Sequence, residues 1–405
     1  MTGGPLEGVR VVDLTTVVVG PIASRTLADQ GAEVIKVEAP EGDILRHLAH
    51  GSRTPGMSGK FMNFNRNKRG VCLNLKHPDG LAAMKRLLAR ADVFVSNVRP
   101  PALERLGLDH ASLSKDNPRL IVCNIVAFGR GGRYYNRPAY DPIIQSLSGV
   151  AGTFERAIGE PRFVPMVMTD HVTGLIAAQS IGFALYRRER TGVGEAIEVP
   201  MFENMASFVT SEHLGAATFD PPCGPSGDGR LLSPDYRPLP TKDGYITVAP
   251  NNNAQAFAFF DAIGRPELKT DPRFCTAAAR TAHPEEYFKV RAEGLRQKTT
   301  DEWLEIFAEL DVPAARYNTI DDLLTDPHLA DVGFFFPEEH PTEGRIRRTR
   351  VANRFSGGMR EDTLPAPRLG QHTREVLAEL GYGAEEITRM VEAGAAIDRH
   401  RTETV

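Results

Sequence analysis

A single acid stands apart in the middle of this chain. Asp170 lies between the apolar extended run Pro165-Met-Val-Met-Thr169 and a long apolar pattern from Leu175 to Tyr186. That pattern predicts a helix, and Asp170 falls on or beside its N-terminus, where free N–H groups and aligned peptide dipoles favour negative charge. An ionised carboxylate is a nucleophile at neutral pH without a general base to activate it. On this segment alone the residue reads first as an ordinary N-cap, and it is the rest of the chain that favours the nucleophile. Upstream lie five cations, Lys68, Arg69, Lys76, Arg99 and Arg105, with the amide of Asn97 among them. Such groups suit the phosphates of a nucleotide-like ligand, although any one of them also fits a solvated face.

The elements that must position these residues alternate. Residues 9–14 predict a buried strand, and Pro21 opens a helix that Gly31 ends. Strands follow at Glu33–Val37, Val93–Val95 and Leu120–Ala127, separated by a helix over Asp79–Ala91 and a short one carrying Leu103 and Leu106. This rhythm implies a parallel, helix-covered sheet of Rossmann-like pattern. The glycine fingerprint of dinucleotide binding is missing after the first strand, and Gly20-Pro21 does not replace it. The Pro/Gly-rich stretch Pro221–Gly229 marks a boundary. Beyond it, a strand at Gly244–Ala249 and helices at Gln255–Ile263, Pro284–Arg296 and Asp301–Leu310 predict a smaller α/β domain. Helices return at Thr373–Leu380 and Ala384–Val391.

At 405 residues the chain exceeds one typical core. Its net charge of -4 argues against a nucleic-acid partner. No stretch approaches the roughly 20 apolar residues that span a bilayer, and the N-terminus does not read as a secretory leader. Cys72, Cys123, Cys223 and Cys275 show neither metal-type spacing nor a disulfide framework. The expectation is a cytoplasmic, reduced protein with no metal and no membrane contact.

Further motifs run the length of the chain. They are Leu6–Thr15 with Gly20-Pro21, Ala32–Glu38, Phe64–Lys76, Ala91–Pro100, and Pro138-Ala-Tyr140-Asp141 with Gln145 and Ser148-Gly149. The Asp170 segment, Arg190–Gly194, Asp271–Phe274, Asp326-Pro-His328 and Leu369–Thr373 complete the set. In this order and spacing the chain resembles the class III CoA-transferases, a family that includes the α-methylacyl-CoA racemases. The resemblance implies a large Rossmann-like CoA-binding domain over 1–220, a small α/β domain over 225–328 and a C-terminal segment, 329–405, that returns to the large domain. It also implies an interlocked homodimer. Asp170 matches the family's catalytic aspartate, which exchanges CoA through an acyl-aspartyl anhydride and an aspartyl-CoA thioester. Lys76, Asn97 and Arg105 match positions that contact CoA. Lys68, Leu73 and Arg99 lie in the same segments, and the backbone of Val18 and Val19 is placed along the pantetheine slot. CoA is then a co-substrate, and no cofactor is permanently bound.

Two departures stand out. Ala39 follows Glu38 where some relatives carry an arginine, and the glycine-rich loop that closes over the nucleophile has no clear counterpart. Gly224, Gly227 and Gly229, or the amides around Asn252, are the candidates to supply donors. Tyr140 occupies the position where the racemase branch has its histidine, and a tyrosine is a poor base at neutral pH. The expected activity is therefore CoA transfer from an acyl-CoA to a free carboxylic acid, with Tyr140 and Asn252 facing substrate. The alternatives are a racemase, for which His171 is the nominee, and a CoA-ester binding protein without turnover. Arg156, Arg162 and Arg237 are candidate partners for a second substrate carboxylate.

Overall fold

The computed structural model of the chain describes residues 3–48, 52–359 and 363–398. The strands among them are β1 Arg10–Leu14, β2 Glu33–Glu38, β3 Lys68–Leu73, β4 Val93–Ser96, β5 Ile121–Val126, β6 Ala196–Pro200, β7 Leu239–Pro240, β8 Tyr245–Val248, β9 Ala314–Arg316, β10 Phe335–His340, β11 Gly344–Thr349 and β12 Ala396–Ile397. The chain forms two compact units. The first comprises Met1–Ser148, Val164–Ser207 and Gly333–Val405, and the second Gly149–Phe163 and Phe208–Val332.

A seven-stranded sheet in the order β12-β3-β2-β1-β4-β5-β6 forms the centre of the first unit. Six strands are parallel, and β12 adds antiparallel to the edge, with Ala396 opposite Leu73. Strand order reverses between β1 and β4, so a crevice is expected where the carboxyl ends of those two strands part. Val11, Val12, Val93, Phe94 and Val95 are wholly buried, as the near-continuous apolar runs of a sheet covered on both faces require. The helix Val19–Asp29 packs closely on the long helix Met168–Thr191 at Gly174. A Cβ there would lie 2.6 Å from the Val19 carbonyl oxygen, so only glycine permits the approach.

The adjacent strands β1, β2 and β3 are tied by buried ions, Lys68 reaching across from the amino end of β3. Lys68 Nζ reaches Asp13 Oδ2 at 3.0 Å, and Lys36 Nζ reaches Asp43 Oδ2 at 3.1 Å, all four side chains being fully enclosed. Arg46 pairs with Glu38 at 2.6 Å beside them. Asp13 also accepts from the Thr15 and Ser24 hydroxyls, and Lys36 donates to the Thr15 carbonyl. Burial opposes charge on Asp13, but Lys68, Lys36 and these hydroxyls hold its carboxyl at about 2. Burial prevails at Lys68 and pushes its ammonium down to about 8 despite the Asp13 charge.

The second unit pairs a three-stranded antiparallel sheet, β7-β8-β9, with the helices Asn253–Ala262, Pro284–Leu295 and Thr300–Glu309. Phe259, Phe260, Phe274, Trp303 and Phe307 fill its core, and Trp303 stacks on Phe307 at 5.1 Å between ring centres. Gly149–Phe163 belongs here rather than to the larger part, where the sequence reading placed it, because Arg156 donates to the Ser226 carbonyl at 2.7 Å. No helix of the described residues is long and apolar enough to cross a membrane.

Replacing Lys68 with Met leaves Asp13 buried without its nearest cation. The expected loss is about 3–5 kcal/mol, read as a lower urea midpoint by circular dichroism. Fluorescence of Trp303, the lone tryptophan, reports the second unit and is expected to move less.

Candidate active site

The helix Met168–Thr191 begins without a cap from its own segment: Val167 occupies the N-cap position and makes no side-chain bond. The anion that answers its free N–H groups comes from elsewhere. Asp141, in the first turn of the helix Asp141–Leu147, accepts from Thr169 N at 2.7 Å, Thr169 Oγ1 at 2.6 Å and Asp170 N at 3.3 Å. Gln145 fixes Asp141 by donating to its Oδ2 at 2.6 Å, while its own Oε1 accepts from Val164 N. Asp170 is thus left buried in the third helical position, next to a second carboxylate, and no described residue donates to its side chain. Burial, reinforced by the Asp141 charge, pushes its carboxyl up to about 7. This corrects the expectation of an acid fully ionised by its helix. One helix start has only so many N–H groups, and Asp141 takes them.

The loop after β1 reaches the same place. Asn97, just past β4, donates to the Thr16 carbonyl at 2.9 Å and accepts from Thr16 N at 3.1 Å, clamping the loop at the reversal of strand order. Val17 adopts φ 68, a costly conformation for a β-branched residue, and its N–H is held by Asp43 Oδ1 at 3.1 Å. Val17 and Val18 join Ile22, Phe61, Phe64 and Val167 in one apolar cluster, which links this loop to the start of the Asp170 helix. His171 sets its ring edge against Phe64 at 5.7 Å, and burial together with the Arg25 charge lowers its pKa.

The other sequence-predicted residues separate into three groups. Val18 and Val19 have buried side chains, so whatever they offer a ligand is backbone. Lys76, Arg99 and Arg105 are exposed, follow β3 and β4 at the carboxyl ends of the sheet, and have no ion-pair partner among the described residues. Lys68 is enclosed and spent on Asp13, Pro21 and Asn65, and Leu73 is a core side chain in the sheet, so whatever Leu73 offers a ligand is backbone. Neither presents its side chain to a phosphate. Tyr140 is 71% exposed and caps the Asp141 helix with backbone alone. Asn252 lies in the second unit and spends its Oδ1 on Gln255 N as a helix cap. Gly227 N is likewise occupied, donating to the His213 carbonyl. Asp141 and Gln145 stand among the sequence motifs, but sequence reasoning gave them no role at the site. Their four-residue spacing on a helix start was the available signal.

Asp170 holds its proton more tightly in the folded chain than its ordinary value of 3.8 allows. Folding stability therefore falls as pH rises through the window from 3.8 to about 7 and levels off above it. Asp170→Asn removes this dependence. The variant is expected to match the natural chain near the bottom of the window and exceed it by a few kcal/mol (order of magnitude, about 1.4 per pKa unit) above pH 7, measured by urea unfolding across pH.

The succinyl-CoA:glutarate CoA-transferase of Mus musculus is 33% identical over 400 residues, 98% of this chain and 91% of that one. The (R)-2-hydroxy-4-methylpentanoate CoA-transferase of Clostridioides difficile is 32% identical, covering 94% of this chain and 97% of its own. A CAIB/BAIF family protein from Brucella suis superposes with a TM-score of 0.80 at 31% identity, over 94% of this chain and 100% of that one. The CoA-transferase family III description matches residues 6–373, nearly the whole length, and the chain belongs to that family of enzymes.

Proposed function

We propose that this CoA-transferase moves CoA from an acyl-CoA thioester to a free carboxylic acid through covalent intermediates on Asp170. The anionic Asp170 attacks the thioester carbonyl, forming an acyl-aspartyl anhydride and expelling CoA thiolate. The thiolate attacks the aspartyl carbonyl, giving an aspartyl-CoA thioester and releasing the first acid as its carboxylate. An incoming carboxylate reverses both steps: it displaces the thiolate to form a new anhydride, and the thiolate then takes the new acyl group and frees Asp170. Each bond broken is replaced by one of similar energy, and no proton is gained or lost overall.

The observation that carries this reading is the state of Asp170: buried, without a side-chain donor among the described residues, and poised near neutrality at about 7. An anion stripped of hydrogen bonds is a strong nucleophile. The exposed cations Lys76, Arg99 and Arg105 at the strand ends, with Asn97, support a CoA groove along β3, β1 and β4, where open α/β sheets bind ligands. The named relatives act on different acids, so likeness assigns the class of acceptor, a carboxylic acid, rather than one compound. Unbridged Cys123, Cys223 and Cys275 fit a reducing, cytoplasmic setting.

We further propose that the enzyme works as an interlocked homodimer. Support comes from the long helix itself, where Leu175, Phe183 and Tyr186 are 52%, 64% and 67% exposed, an apolar surface suited to a second copy.

Asp170→Ala is expected to abolish exchange while CoA binding and the fold persist. Purified protein in D₂O, given a panel of acyl-CoAs and free acids, tests the reaction by mass spectrometry. A new acyl-CoA built from a supplied acid supports transfer, whereas α-deuterium without acyl exchange would make the enzyme a racemase. Light scattering is expected to give twice the chain mass, and a stable, active monomer would end the dimer proposal.

A further inference from the structure

A second concentration of charge lies wholly inside the second unit. Arg230, Arg237, Arg280 and Arg291 line a cavity of about 530 Å³ walled by Tyr236 and Phe288, and no acid is among its lining residues. Of the four cations Arg280 is deep and Arg291 is half-buried. Arg280 is 4% exposed and donates only to neutral groups, the Phe274 carbonyl at 2.8 Å and Asn253 Oδ1 at 2.9 Å. Arg291 donates to the Val248 carbonyl and packs its guanidinium 5.4 Å from the Tyr287 ring and 5.2 Å from Phe288, but its buried Nε has no partner. The two at the rim are exposed and only loosely answered, Arg237 by Asp235 at 3.4 Å and Arg230 by Asp228 at 3.9 Å.

Buried guanidinium groups normally face carboxylates, because an unanswered charge in a dry site is expensive. Here the inner pair faces none, and burial accordingly depresses Arg291. An anion entering the cavity would supply the missing charge, and arginine forks bind carboxylate or phosphate oxygens in pairs. The space is well beyond the size of a lone oxyanion and falls in the range of small-molecule sites. Inner and outer arginines with an aromatic wall call for a flat or apolar body that carries two negative charges.

We propose that this cavity, lined by the second unit alone, is a binding site for a small organic dianion. Carboxylate and phosphate share the required chemistry, so the test uses one probe of each kind. The full-length protein, saturated with CoA to fill the first unit's groove, is titrated calorimetrically with benzene-1,3-dicarboxylate and with phenyl phosphate. At least one is expected to bind saturably, and the one that binds identifies the anion type. The inner change Arg291→Met and the exposed double change Arg230→Ser/Arg237→Ser are each expected to weaken that binding about tenfold or more, the scale of a lost charge-assisted hydrogen bond. The rim variant keeps the test meaningful should Arg291→Met disturb folding. Saturable binding by neither probe, undiminished binding by the rim variant, or binding lost in Asp170→Asn instead would overturn the proposal.

Discussion

The first unit depends on charge placed where water cannot reach it. Asp13, Lys36, Lys68, Asp43, Glu38 and Arg46 form a buried chain across three adjacent strands and the segment that follows β2. Few networks of this kind add stability over an apolar core, but each member makes the others obligatory. What they secure is shape. Asp13 and Lys36 take the Thr15 backbone and hydroxyl, Asp43 takes Val17 N, and the loop after β1 is fixed in a conformation that valine would not otherwise choose. Asn97 completes the clamp from β4. The strand ends and their loop are therefore set before any ligand arrives.

From this loop the positioning passes to the long helix. Val19 opens the helix that meets Gly174 at backbone distance, and Asp170 is one turn N-terminal to Gly174 on the same face. A side chain at Gly174 would force the two helices apart and carry Asp170 with them. Val167, just before the helix, enters the apolar cluster with Val17 and Val18. The acid is thus located by packing on two sides and by Asp141 on a third.

Much of this was legible from the residues. Apolar period and caps gave the helices at Pro78–Leu88, Pro284–Leu295 and Thr300–Glu309 within a few residues, since those helices follow their own stop and start signals. The sheet strands β1, β2, β4 and β5 showed themselves as apolar runs. Strand β3 did not, because it opens with Lys68-Arg69-Gly70, and nothing local says that Lys68 is answered by an acid 55 residues away. For the same reason Lys68 passed for a surface cation. Strand β12 is two residues long and exists only by pairing with β3. At the site, the sequence pointed to Asp170 but mistook its electrostatics. A helix start predicts a stabilised anion only while its N–H groups are free, and the competitor, Asp141, arrives from a different helix.

That competition bears directly on the proposed chemistry. As a free anion, Asp170 is penalised twice, by its burial and by the Asp141 charge, and both penalties depend on its own charge. Acylation removes that charge. An anhydride or thioester on the proposed nucleophile Asp170 would be neutral, so forming either would relieve the repulsion from Asp141, which is already bonded by Thr169 and Gln145. The site thereby raises the energy of the resting nucleophile relative to its covalent adducts. A second carboxylate held a short step from the first, bonded at the same helix N-terminus, is what a reaction through acylated aspartate would use to make its first bond easier to form.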